Sequence, residues 1–275
     1  MPYAAASFGD GDAETLGAVT ATSTGTLITA GAINTKGTWT ALGTPTFPYE
    51  FFTVSVGASS AAADYVFDIG INDGSGNVFV IAENLRISGL KGAADLFLSY
   101  AIPVRLPTSQ IMCRCASSTA SATLRVLLTG TSAGFLGGGS YSRLVALYTP
   151  ATSRGVTIDT GATANTKSAW IQMTASTPHA IDAVMLGIGP NADVARTAAT
   201  TGLLDIGIGT AGAEYVMIPD QLWGFTTTSD TPFPNVLGPY PLGIPDATRL
   251  AARAQSNNTT AGDRTLDLAV WGLVA

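Results

Sequence analysis

The chain has 275 residues, of which 46% are hydrophobic and only 12% charged, with a formal net charge of −6. That apolar content is ample for two cores of ordinary domain size and excludes intrinsic disorder, while the acidic balance excludes the long basic groove a nucleic-acid partner needs. Few charges also mean little repulsion between neighbours, a surface suited to a subunit that packs against others rather than to a free enzyme.

The opening residues, MPYAAASFGDGD, have neither a basic n-region nor an apolar h-region. No Sec export signal is therefore expected, and residues 1–11 read as an N-terminal arm outside the fold. Apolar stretches are broken by Gly, Pro or a charge before the roughly 18 residues a membrane helix requires, so no membrane partner is expected and the protein reads as soluble. From residue 12 the chain offers eight apolar or β-branched runs: TLITA, TWTAL, FFTVSV, YVFDIGI, NVFVIA, LFLSYAIPVRL, QIMCRCAS and ATLRVLL. Turn residues such as NDGSG and PTS separate them, and each run predicts a strand. In the last, Leu124, Val126 and Leu128 alternate with Thr123, Arg125 and Leu127, the period of a half-buried antiparallel strand. No window carries a helical stripe.

After residue 130 a Gly- and Ser-rich stretch, residues 131–140, reads as a linker. Beyond it the first pattern returns in the same order. TLITAGAINTKGTW, ending at Trp39, reappears as VTIDTGATANTKSAW, ending at Trp170. Phe67 to Leu85 reappears as Leu204 to Leu222, and the strand of Leu124, Val126 and Leu128 as that of Leu266, Leu268 and Val270. The fold this predicts is all-β: two tandem antiparallel β-sandwiches, jelly-roll-like and related by internal duplication, over residues 12–130 and 141–275. An immunoglobulin-like sandwich is the close alternative.

Both copies keep one Asp and one Arg at matched places in strands otherwise short of charge. Asp68 stands opposite the face of Phe67, Ile69 and Ile71, and Asp205 repeats it; Arg114 alternates with Cys113 and Cys115, and Arg253 with Ala252 and Ala254. A ligand-binding or catalytic ion pair is one reading. The favoured one is a structural salt bridge joining two strands on the less buried face, because no other reactive group accompanies the pair. Cys113 and Cys115 share a strand face, which disfavours a disulfide, and with a single His in the chain they lack the partners of a zinc site. They are expected to be small core residues.

Other motifs are expected to be accidental. Gly130, Ser132 and Gly134 match G-x-S-x-G, but the following residues form no helix pattern and the only histidine, His179, sits on a loop-like stretch. Gly207, Gly209 and Gly212 match G-x-G-x-x-G, yet another strand pattern follows, so a hairpin is expected. The loop carboxylates, among them Asp73, Asp95, Asp220 and Asp230, have no spacing that argues for calcium, although a site built from loop oxygens stays open. Trp39 and Trp170 are equivalent and are expected to serve the two cores. Trp271 faces outward by alternation and is the interface candidate, and with Trp223 the four could form a sugar-stacking platform. No catalytic residue and no cofactor is expected.

The phrases NTKGTW and NTKSAW, DIGI before a hairpin, the IP or LP turn, and MCRCASSTASATLRV with its counterpart near the C-terminus resemble a family of tailed-phage and prophage virion proteins with jelly-roll-like repeats. The resemblance covers nearly the whole chain and implies a non-enzymatic particle component, located in the virion: a capsid decoration or minor capsid protein, or a tail- or fibre-associated one. It supplies no site residue. Other virion proteins and further copies of the chain are the expected partners. A lectin-like sandwich that recognises host-surface glycans is the rival from another class, and a hydrolase is a distant third.

Overall fold

A computed structural model describes residues 12–20, 23–88, 97–132, 141–149, 153–190, 196–227 and 234–275. The arm expected at residues 1–11 and most of the expected linker lie outside them, as do Gly134, Asp95 and Asp230. Among the described residues all regular structure is β-strand. The chain folds as two tandem antiparallel β-sandwiches.

In the first set, β1 (Ala13–Leu16) and the small hairpin of β2 (Val19–Thr20) and β3 (Ser23–Thr24) precede β4 (Thr26–Thr29), β5 (Thr40–Gly43) and β6 (Phe51–Gly57). β7 (Tyr65–Asn72), β8 (Val78–Ile87), β9 (Phe97–Ile102), β10 (Ile111–Ser117) and β11 (Thr123–Thr131) complete it. One sheet runs β1–β11–β6–β9, with β4 pairing the other end of β11; the facing sheet contains β5, β10, β7 and β8. Alternation decides the faces. Leu124, Val126 and Leu128 of β11 are fully buried, while Thr123, Arg125 and Leu127 are half-buried. From the facing sheet Phe67, Ile69, Cys113 and Cys115 enter the same core with no exposed surface. Burial there pushes the Cys115 thiol up to about 12 and that of Cys113 well above its usual range.

The second set repeats these pairings. Its strands are β12 (Arg143–Ala146), β13 (Val156–Asp159), β14 (Ile171–Thr174), β15 (Ala183–Pro190) and β16 (Thr200–Ile208). β17 (Tyr215–Phe225), β18 (Asn235–Tyr240), β19 (Leu250–Ser256) and β20 (Thr265–Val274) follow. β12 and β13 share one edge of β20 as β1 and β4 share β11, and β15 lies between β20 and β18 as β6 lies between β11 and β9. The facing sheet is β14–β19–β16–β17, matching β5–β10–β7–β8.

The two sets are welded. β12 pairs in parallel with β8, joining one sheet of each set into a nine-stranded sheet. β20 is consequently buried on both faces, which corrects the expected outward position of Trp271. Trp271 does point away from its own core, but that side lies against the first sandwich and the ring has no exposed surface. Its Nε1–H donates to the Asn84 carbonyl at 3.2 Å, and its ring meets Tyr100 and Tyr148 edge-on at 5.7 and 6.0 Å. The interface it serves is therefore internal to the chain.

Candidate functional site

The matched Asp and Arg residues form the same cluster twice. Asp68 and Arg114 are direct cross-strand partners, as are Asp205 and Arg253, so both members of each pair project from the same, outer face of the sheet. Arg114 Nε donates to Asp68 Oδ2 at 2.8 Å, and Arg253 Nε to Asp205 Oδ2 at 2.9 Å. Each carboxylate is only 3% exposed, so its remaining oxygen needs donors of its own. Two are supplied at matched positions. Lys36 Nζ reaches Asp68 Oδ1 at 2.6 Å and Lys167 Nζ reaches Asp205 Oδ1 at 2.7 Å. The backbone N–H groups of Asn84 and Asp220 donate to the same oxygens, both at 2.9 Å.

Local sequence explains these donors. The ladder between β7 and β8 slips beside Asp68, and that between β16 and β17 slips beside Asp205. At these bulges Asn84 and Asp220 take a left-handed φ of 50°, which turns the N–H toward the carboxylate. Asn34 and Asn165 open the two N-T-K segments with φ of 57° and 56°, and donate their N–H to the Ser117 and Ser256 carbonyls at 2.7 Å. That docking holds each lysine over its Asp. Burial tends to raise the Asp205 carboxyl, but the Asp220 N–H, Lys167 and Arg253 outweigh it and hold it below the usual carboxylate range. Burial lowers Lys36 despite the attraction of Asp68.

Each guanidinium lies over a tryptophan ring, the Arg114 carbon 4.4 Å from the Trp39 centroid and that of Arg253 4.6 Å from the Trp170 centroid. Gly70 and Gly207 make room: a Cβ there would stand 3.0 Å from Trp39 Cη2 and 2.7 Å from Trp170 Cη2. Both tryptophans are half-buried on the outer face, which corrects their expected place in the cores. They precede their strands, so strand alternation does not govern them. The guanidinium covers one face of each ring, leaving that side closed to a stacked sugar.

A second electrostatic cluster lies where the sandwiches meet. Arg86 has no exposed surface, and its Nη2 stands 3.2 Å from Asp267 Oδ2 and 3.5 Å from Asp64 Oδ1. Tyr100 donates its hydroxyl to the Arg86 carbonyl, while Glu83 accepts the Ala146 N–H at 2.7 Å. Burial, aided by Asp267, pushes the Asp64 carboxyl up to about 6 against the pull of Arg86 and Arg154.

The remaining candidates are dispersed. Ser132 Oγ accepts the Asp12 N–H at 2.9 Å, and His179 Nε2 contacts Arg143 Nη2 at 2.6 Å. Gly207 to Gly212 form the end of β16 and its turn into β17. Asp73 accepts the Ser75 and Asn77 N–H groups in its own hairpin, and Asp220 pairs with Lys167 at 2.9 Å. Trp223, only 4% exposed, lines an apolar recess of about 60 Å³ with Leu222, Phe225 and Leu237. Two exposed aromatics also match: Phe79, 62% exposed, faces Ile71 just after one hairpin, and Tyr215, 71% exposed, faces Ile208 just after the other. The sequence reading missed Lys36, Lys167, Phe79 and Tyr215. The recurrence of N-T-K in both copies was the available signal for the lysines.

No family model and no curated protein matches the sequence. Among solved structures, PNGF-II aligns with a TM-score of 0.39 and 8% identity over 96% of this chain, which spans 65% of the length of PNGF-II. The N-terminal CBM22-1-CBM22-2 tandem domain from Paenibacillus barcinonensis Xyn10C aligns with a TM-score of 0.27 and 8% identity, over 97% of this chain and 92% of that one.

Proposed function

We propose that this chain is a non-enzymatic structural protein of a tailed-phage particle, a capsid decoration or minor capsid protein on the exterior, built from two copies of one contact unit at residues 12–130 and 141–275. Its partners are other virion proteins and further copies of itself, and its place is the virion. The observation that carries this reading is the doubled outer-face cluster. Both copies keep Asp, Arg, Lys and Trp in the same geometry, with each carboxylate saturated by donors rather than poised as an acid or base. A rigid body that shows the same surface twice suits repeated contacts in a lattice. The N-terminal arm would tie it to the underlying shell. Purified particles labelled with antibody against the chain and imaged by electron microscopy test this: regular labelling of the head is expected. Particles that lack the chain contradict the reading, and labelling confined to the tail moves it to a tail or fibre role.

A lectin-like reading has one observation in its favour, the matched and exposed Phe79 and Tyr215. Glycan-array binding that disappears in a Phe79→Ala/Tyr215→Ala variant would replace the structural role with host-surface recognition.

A further inference from the structure

Each cluster leaves part of its arginine unused. Among the described residues, Arg114 and Arg253 donate hydrogen bonds through Nε alone, both to aspartate. Their side chains are 31% and 32% exposed, and Nη1 and Nη2 have no partner there. The aspartate holds Nε and the tryptophan ring lies against the guanidinium carbon, so the edge that carries Nη1 and Nη2 is held in place before anything binds. That edge matches the two oxygens of a carboxylate, and a fork held in place loses little entropy when it is filled.

We propose that Arg114 and Arg253 are paired carboxylate clamps, one per sandwich, that grip Asp or Glu side chains of a neighbouring protein subunit; this rests on the reading of the chain as a contact protein. A protein carboxylate is favoured over an acidic sugar because the guanidinium already covers the indole face on which a sugar ring would stack. Acidic groups are plentiful on the expected neighbours if these include further copies, since the chain carries 19 Asp and Glu against 13 Lys and Arg. The clamps are closely matched. Each has one further carboxylate beside its lysine: Asp220 stands 2.9 Å from Lys167 in the second copy, and Glu83 lies within electrostatic reach of Lys36 and Asp68 in the first.

The test titrates the full chain at low salt with hexaglutamate, hexaglutamine and a galacturonate oligomer, followed calorimetrically. Two hexaglutamate sites are expected, with no response to hexaglutamine. Arg114→Lys keeps a cation beside Asp68 but loses the planar fork, and should leave one site; Arg253→Lys should likewise leave one. The double variant should bind about tenfold more weakly or not at all, the loss of one bidentate charge-assisted pair at each clamp. Asp220→Asn should tighten the second site while Arg253 is present, a gain that misfolding cannot produce. Equal hexaglutamate binding by the wild type and the double variant overturns the clamps, and so does an equal response to hexaglutamine. Tighter galacturonate binding that depends on these arginines overturns the protein source. A chain that fails to bind hexaglutamate yet labels the particle loses only the clamps, whereas one that binds it yet is missing from particles loses the virion reading.

Discussion

β8 and β17 occupy the same place in the two sandwiches, yet one is buried in a joint and the other ends its sheet. β8 carries Glu83, Asn84 and Arg86, whose polar atoms meet Ala146, Trp271 and Asp267 across the joint. The corresponding positions of β17 are Pro219, Asp220 and Leu222. Pro219 has no N–H to offer an incoming strand, and both it and Asp220 are exposed, devices that blunt a sheet edge. The backbone is the same in both copies. What makes one edge adhesive and the other inert is a handful of side chains, together with the apolar Ala269, Trp271 and Leu273 that β20 presents where β11 has Leu127, Thr129 and Thr131.

The largest effects should therefore fall on the joint. Arg86→Ala removes the fully buried cation that Asp64 and Asp267 share and should cost about 3–5 kcal/mol, with Trp271→Ala in the same range from the cavity it opens. Denaturant unfolding measures both, and a loss under about 1 kcal/mol for either would mean that the joint is superficial.

Asp64 should show its effect through pH. Its folded-state carboxyl titrates near 6, above the ordinary value of 3.8, so the folded chain binds the extra proton between those limits. Stability from this group is highest below pH 4 and falls as pH rises through 6. Asp64→Asn should consequently stabilise the protein at pH 7 by up to about 3 kcal/mol and change little at pH 4. Melting curves of the variant and wild type that stay parallel across this range would remove the buried-acid account.

Asp205 should behave in the opposite sense. Its carboxyl is held low, so its contribution is present above the usual carboxylate range and is lost as pH falls below about 4. Asp205→Asn should destabilise by about 1–3 kcal/mol at pH 7, with the difference shrinking in acid. The smallest effect belongs to the inert edge: Leu222→Ala, at a residue 68% exposed, should stay within about 0.5 kcal/mol in the same unfolding assay. A larger change would show that β17 has a partner in solution.

The period of two and the returning phrases made the strands, the fold class and the Asp–Arg register legible in the sequence. Asp68 and Arg114 each alternate with apolar neighbours on their strands, which marks both as outward. Trp271 shows where such reading stops. Alternation says which way a side chain points from its own sheet and nothing about what lies on the other side. The joint depends on Arg86 meeting a residue far along the chain, and no local pattern announces it. Trp39 and Trp170 were misplaced because they lie on docked loops, whose geometry comes from left-handed Asn34 and Asn165.

Calorimetric unfolding of the intact chain tests the welding of the two sandwiches most directly. A single transition whose calorimetric and van't Hoff enthalpies agree is the predicted result, splitting into two on Arg86→Ala. Two independent transitions in the wild-type chain would contradict it.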